Sequence, residues 1–183
     1  KPTQPEADII VSIEPLKYIV EEITEGDFRV DVLVPQGASP ETFDPTPRQI
    51  MALDKAQMVF AVGLIDFEQA LLKRVGKNNI TNLSDGIELI AGTCSHAHEG
   101  HHHHGVDPHI WCSPKSLGKM AENIHTAIAR EMPDSTKYEE RYTTLCLKLL
   151  ELDEEVAEMC RQSQHSIFLT KSKGQAADLL LIW

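Results

Sequence analysis

The chain has 183 residues, of which 42% are hydrophobic and 25% charged, a composition that can bury one sizeable core. Its 28 acidic residues outnumber its 17 basic ones, and the resulting charge of −11 argues against nucleic acid as a partner because phosphate backbones would be repelled. No apolar run approaches the roughly 18 residues that a membrane-spanning helix needs, so an integral membrane protein is not expected.

The first half of the chain alternates between strand-like and helical patterns. Four segments are short and apolar or alternating, as strands are: residues 7–13, 28–34, 58–62 and, more weakly, 79–83. A helix that begins at Pro15 and ends at Gly26 follows the first, and further helical patterns cover residues 48–56 and 67–75. Strands separated by crossovers of ten or more residues predict an α/β fold with a parallel sheet and flanking helices.

Two helices dominate the second half of the chain. The first runs from Pro114 to about Met132, and the second continues from Pro133 to about Gln162. The second carries an apolar stripe at 3- and 4-residue spacing, formed by Leu145, Leu149, Leu152, Val156 and Met159. A helix of nearly thirty residues is too long for one more crossover and suits a connector between two lobes. We therefore expect an α/β lobe at 1–132, a linking helix at 133–162, and at 163–183 only a remnant of a second lobe that is largely missing.

A histidine-rich segment is the most conspicuous local feature. Residues 92–105 read GTCSHAHEGHHHHG, with histidines at positions 96, 98, 101, 102, 103 and 104. Imidazole binds zinc, copper and nickel, but a low-complexity loop offers several partial coordination sets rather than a single rigid one. We expect multisite binding of moderate affinity by His96, His98, His101, His102, His103 and His104. The alternatives are a merely solvated loop or, less plausibly for an internal segment, a purification tag.

Two further residues lie where ligands bind in parallel α/β folds, which is at the carboxyl ends of the strands. His109 stands in the motif DPHIW, where Asp107 could orient its imidazole. Glu41 stands in the proline-rich loop PETFDP that follows the second predicted strand. Taken alone, a single histidine is more often structural and an isolated loop glutamate more often solvated, so spacing by itself leaves both assignments open.

The ordered set of motifs resembles a known family. The runs VSIEPLKYIVEEI, VDVLVPQGASPETFDPTPRQI, VFAVGLIDFEQ, the histidine-rich segment and DPHIWCSPK are similar to those of the zinc- and manganese-type substrate-binding proteins of bacterial metal ABC transporters. The resemblance spans roughly residues 8 to 162. It implies two α/β lobes joined by one long helix, with the metal held between them. It also implies a periplasmic or cell-surface location, often through a lipid anchor, and a membrane permease as partner.

The resemblance also implies which residues bind the metal. The family's first ligand is a histidine of a PHTYEPTP-type loop, and Glu41 stands in its place; the second is the histidine of DPHIW, here His109. A carboxylate can bind zinc, although its harder oxygen also suits manganese. The third ligand, a histidine after the strand that follows the long helix, has no counterpart in SIFLTKSKGQ, and the fourth belongs to the second lobe. Metal binding by this chain is therefore expected to be impaired.

The expected function is extracytoplasmic capture of a divalent metal, zinc before manganese, for an ABC-type importer, and not catalysis. The alternatives are a manganese-type importer component, a metal buffer that uses only the histidine-rich segment, and a metal-dependent hydrolase, which lacks an H-E-x-x-H motif here. Apolar surface on the long helix and in the tail AADLLLIW further predicts self-association through the last forty residues.

Overall fold

Four short parallel strands form the centre of the computed structural model, which describes residues 8–74, 80–90, 106–132 and 136–162, with the backbone alone at 70 and 72–74. The strands are β1 (Ile9–Val11), β2 (Val30–Val32), β3 (Met58–Ala61) and β4 (Ile80–Asn82), in the spatial order β2-β1-β3-β4. The helices are α1 (Glu14–Thr24), α2 (Pro47–Leu53), α3 (Asp66–Arg74), α4 (Pro114–Glu131) and α5 (Thr136–Gln162). The predicted α/β fold with a parallel sheet is confirmed.

The two central strands are apolar on both faces because helices cover both sides of the sheet. Every residue of β1 and of β3 is buried, as expected for strands inside a parallel sheet. The β2 strand lies at the edge, and its middle residue, Asp31, is exposed. This edge position explains why residues 28–34 alternate while the central strands do not.

The first helix follows the predicted pattern closely. Pro15 occupies its first turn, where a missing N–H costs nothing. Its apolar residues at helical spacing are all buried, namely Leu16, Ile19, Val20 and Ile23. The helix ends at Thr24; the next residue, Glu25, adopts a left-handed conformation, and Gly26 follows with φ +84°. This termination sends the chain directly into β2.

The two long helices pack against each other and against α1. Ser113 caps α4 by accepting a hydrogen bond from the Ser116 N–H, and the buried face of α4 consists of Met120, Ala121, Ile124 and Ile128. The first half of α5 is held by apolar contacts, with Tyr138, Leu145 and Leu149 buried. The predicted long helix is thus confirmed, with a length of 27 residues.

Ion pairs join α5 to the end of α1. Lys137 Nζ lies 2.6 Å from Asp27 Oδ2, Arg141 Nη2 lies 2.6 Å from Glu25 Oε2, and Lys148 Nζ lies 2.7 Å from Glu22 Oε2. The Lys137 hydrogen bond is the main reason why the pKa of Asp27 is lowered. Each pair has at least one exposed side chain, so each contributes little by itself.

The apolar stripe of α5 is covered over only part of its length. Leu152 and Met159 are 43% and 61% exposed, and Leu147 and Leu150, on the opposite face, are 58% and 59% exposed. None of the described helices combines the length and the apolar character that crossing a bilayer requires. No disulfide joins Cys112, Cys146 and Cys160. The strand and tail predicted beyond residue 162 lie outside the described residues.

We predict that two leucines of α5 differ sharply in their effect on stability. Leu145→Ala removes a side chain that is 1% exposed and should lower the free energy of unfolding by about 2–5 kcal/mol. The matched control Leu147→Ala, on the same helix but 58% exposed, should stay within about 0.5 kcal/mol of the parent. Urea unfolding followed by circular dichroism measures both. Equal effects would contradict the packing of α5 described above.

Candidate metal site

His109 is held in a fixed orientation by Asp107. The Asp107 Oδ1 atom accepts a hydrogen bond from the His109 backbone N–H at 2.9 Å and lies 2.7 Å from its ring Nδ1. The ring also leans against Trp111, with centroids 5.0 Å apart, and the next residue, Ile110, is buried in the core. A carboxylate that accepts from Nδ1 favours the tautomer in which Nε2 carries the lone pair that could bind a metal.

Glu41 lies opposite this imidazole. It belongs to a single 3₁₀ turn, Pro40–Thr42, in the loop after β2. Its Oε1 atom is 4.0 Å from His109 Nε2, and its side chain is 71% exposed. The separation is too long for a hydrogen bond, whereas two donors on one tetrahedral zinc ion lie about 3.4 Å apart. A small rotation of the exposed Glu41 side chain would bring both donors onto one ion.

The turn that carries Glu41 is anchored on both sides. Phe43 packs edge-on against Phe67 of α3, with centroids 5.2 Å apart and an interplanar angle of 79°. Thr46 and Gln49 form a reciprocal capping box at the start of α2, and the Gln49 side chain donates to the Leu33 carbonyl at 2.9 Å. The backbone beneath Glu41 is therefore constrained although its carboxylate is exposed.

A buried carboxylate lies at the carboxyl ends of the strands, on the same edge of the sheet. Glu68, in the first turn of α3, is 1% exposed. Its two oxygens accept hydrogen bonds from the backbone N–H groups of Val62 at 2.9 Å, Gly63 at 2.7 Å and Ile65 at 3.2 Å. Burial raises the pKa of Glu68, and hydrogen bonds from these amides and the Ser12 hydroxyl oppose that rise. Sequence reasoning missed this residue because an acid in a first helical turn is usually an exposed partner of the helix dipole.

The described chain on either side of the histidine-rich segment is joined close to His109. The Asp107 N–H donates to the Ile90 carbonyl at 3.0 Å, and these two residues stand just before and just after the described chain is interrupted at positions 91–105. An open cleft of about 720 Å³ lies here, between residues 86–90 and the first turns of α4. The predicted ligands His96, His98, His101, His102, His103 and His104 lie outside the described residues, so their part in binding stays a prediction.

His109 and Glu41 form a pair. In residues 8–74, 80–90, 106–132 and 136–162, no three His, Cys, Asp or Glu side chains are arranged to hold a metal ion together. His125 is not part of the site: it stacks on Tyr142 with centroids 4.6 Å apart, and its Nε2 is 3.1 Å from Glu139 Oε2.

Comparison with known families identifies the fold and the type of protein. Residues 9–174 match the family described as zinc-uptake complex component A, periplasmic. The chain belongs to this family. Its members are solute-binding components and not enzymes, so the hydrolase alternative is set aside.

Individual relatives agree with this assignment. The chain is 26% identical to the high-affinity zinc uptake system protein ZnuA of Bacillus subtilis, over 89% of this chain and 54% of that protein. It is 30% identical to ZnuA of Haemophilus ducreyi, over 70% of this chain and 48% of the relative. A crystal structure of a ZnuA deletion mutant with zinc bound superposes with a TM-score of 0.73 and 31% identity, over 86% of this chain and 60% of that one. The chain thus spans about half the length of these curated relatives.

We predict that Gly63 cannot be replaced without damage to the carboxyl edge of the sheet. It has φ +87°, and a Cβ there would overlap the side-chain amide of Asn82, which binds Ser84. Gly37, with φ +85° and open space around it, is a matched control. Gly37→Ala should cost about 1–2 kcal/mol for the left-handed backbone. Gly63→Ala should cost more by about 1–3 kcal/mol because Asn82 must also give up its hydrogen bonds. Urea unfolding compares the two, and equal losses would contradict the close approach to Asn82.

Proposed function

We propose that this chain captures zinc outside the cytoplasm as the solute-binding component of an ABC-type importer and passes it to a membrane permease. Membership of the zinc-uptake family supports the class of function. The observation that carries the assignment to particular residues is the meeting of His109 Nε2 and Glu41 Oε1 at 4.0 Å, with Asp107 bound to the other ring nitrogen. The family description supports a periplasmic location, and the similarity to the zinc-binding lipoprotein AdcA of Streptococcus pneumoniae supports a lipid anchor at the cell surface as the alternative.

Each residue of the proposed site has a distinct role. His109 supplies a nitrogen donor in a fixed orientation, Asp107 keeps that orientation, and Glu41 supplies an oxygen donor that adjusts to the ion. Zinc prefers four donors, so this pair is expected to bind it with water in the remaining positions and with lower affinity than a site with four protein ligands. Impaired binding by this chain alone is part of the proposal.

The histidine-rich segment is proposed to bind additional zinc weakly, at several partial sites. Support comes from its composition and from the Ile90–Asp107 hydrogen bond, which joins the described residues before and after the segment close to His109. Such a segment raises the number of ions bound per chain without creating one rigid site.

A manganese-type importer component is the second candidate function. It is favoured by the carboxylate of Glu41, whose hard oxygen suits manganese better than a second imidazole would. We expect zinc to prevail, because a nitrogen donor is present and zinc stands above manganese in the Irving–Williams order. Manganese added in about 100-fold excess should leave most of the zinc bound in equilibrium dialysis. Displacement of zinc by an equal concentration of manganese would favour the second candidate.

The proposed division of the chain assigns residues 1–132 to one metal-binding lobe, 133–162 to the linking helix and 163–183 to part of a second lobe. The contacts of α5 with α4 and α1 support a rigid attachment of the linking helix to the first lobe. The metal would then lie at the surface of the first lobe that faces the second.

We predict that His109 accounts for the tightest zinc site. Even partners that only orient a ligand change metal affinity by about 10–100-fold, so His109→Ala should weaken this site by at least about 10-fold. The control His125→Ala removes an imidazole from α4 that stands away from Glu41 and should leave the affinity unchanged. Competition with a zinc-chelating dye measures both variants.

Deleting residues 96–104 distinguishes zinc binding by the His109–Glu41 pair from zinc binding by the histidine-rich segment. It should bind fewer zinc ions in total and keep the site that depends on His109. Unchanged stoichiometry would refute the role of the segment, and a His109→Ala variant that binds as tightly as the parent would refute the role of His109.

We further propose self-association through the C-terminal forty residues. The exposed leucines of α5 and Met159, at 61% exposure, support it. Light scattering at micromolar concentration should detect dimers that Met159→Glu weakens. The control Met51→Glu alters a methionine of similar exposure, 62%, on α2 and should leave the dimers intact. A monomeric parent chain would contradict the proposal.

A further inference from the structure

Glu68 is the most deeply buried charged side chain of the described residues, and metal capture does not use it directly. It connects two neighbouring strands at their carboxyl ends: the Ser12 hydroxyl after β1, and the N–H groups of Val62 and Gly63 after β3. It also accepts from the Ile65 N–H, which draws the start of α3 against the sheet. One carboxylate thus fixes the whole connection between β3 and α3.

The connection between β3 and α3 also supports the turn that bears Glu41. Phe67 precedes Glu68 in α3, is 8% exposed, and is the aromatic ring on which Phe43 packs. Phe43 follows the 3₁₀ turn Pro40–Thr42 that bears Glu41. In the described residues, α3 and this turn are in direct contact. A continuous path of packed groups therefore leads from Glu68 through Phe67 and Phe43 to Glu41.

We infer that Glu68 is a positioning residue for the oxygen-donor half of the metal site, acting through Phe67 and Phe43 on Glu41. The inference rests on the proposed function. His109 has its own support in Asp107 and in the buried Ile110, so the two halves are positioned independently.

The hydrogen-bonding groups around Glu68 require a carboxylate. Two acceptor oxygens face three backbone N–H groups and one hydroxyl. In Glu68→Gln, one oxygen is replaced by an NH₂ group that must face N–H donors and cannot accept from them. Buried N–H groups left without acceptors disfavour the native loop, and the start of α3 should shift. Because metal sites depend on supports of this kind, the expected loss of zinc affinity is about 10-fold.

A double-mutant cycle on the full chain tests the inference, with chelator competition to measure the tight zinc site. The variants are Glu68→Gln, Glu41→Ala and the two combined. If Glu68 acts through Glu41, each single variant weakens zinc binding about 10-fold, and the double variant is no weaker than Glu41→Ala alone. Leu145→Ala is the control for lost stability, since it should destabilise the chain without changing zinc affinity.

The remaining outcomes overturn the inference in distinguishable ways. If Glu41→Ala weakens binding and Glu68→Gln does not, the inference fails and the proposed function stands. If the two losses of zinc affinity multiply in the double variant, Glu68 does not act through Glu41 and has only a general structural role. The same follows if Glu68→Gln loses no more zinc affinity than Leu145→Ala does. An unchanged affinity in Glu41→Ala overturns both the inference and the proposed role of Glu41. If Glu68→Gln fails to fold, Phe67→Leu replaces it in the cycle. Phe67→Leu removes the ring contact with Phe43 but keeps the hydrogen bonds of Glu68, and it should give the same pattern of zinc affinities.

Discussion

Every strand of a parallel sheet ends at the same edge, and the backbone N–H groups that lie there need acceptors once the strands no longer supply them. At the end of β3 most of this need is met by the carboxylate of Glu68, which accepts from the loop amides of Val62, Gly63 and Ile65. The same carboxylate is costly to bury, as its raised pKa indicates. Its hydrogen bonds offset that cost, and they allow irregular loops to lie on the edge of the sheet in a defined arrangement.

The candidate metal site combines a preorganised half with an adaptable half. His109 is enclosed by Asp107 and Trp111, and its imidazole has little freedom to turn. Glu41 has a constrained backbone beneath an exposed carboxylate. An ion that approaches such a pair would meet the nitrogen at a fixed position and draw the oxygen inward, so most of the reorganisation upon binding would fall on one solvated side chain.

Much of the fold could be predicted from the sequence, because buried apolar positions recur at regular spacing along helices and strands. The buried residues of α1 recur at the 3- and 4-residue spacing that a helix packed on a sheet requires, and Met120, Ile124 and Ile128 do the same in α4. Strand limits were less accurate: residues 28–34 were predicted, whereas β2 covers only Val30–Val32. The reason is local, since Leu33 and Val34 still donate hydrogen bonds to Val11 and Ser12 but lie beyond the regular ladder.

The candidate metal site could be predicted from the sequence only in part. Motifs pointed to His109, Asp107 and Glu41, and the topology of a parallel sheet explains why the loops that carry them meet. Glu68 left no comparable signal, because a buried acid and an exposed one look alike in a first helical turn. Its environment is created by Ser12 and by the loop after β3, which converge only in the folded chain.

The uneven covering of α5 implies that one continuous helix contains two levels of local stability. Around Tyr138, Leu145 and Leu149, opening the helix requires separating it from α4 and α1. Beyond Leu152 the described helix has mostly exposed side chains and little beyond its own backbone hydrogen bonds to resist opening. Amide protons along its length of about 40 Å should therefore exchange with solvent in a gradient, slowly in the first four turns and rapidly in the last three. A boundary between cooperative units would then fall within a helix and not at a loop.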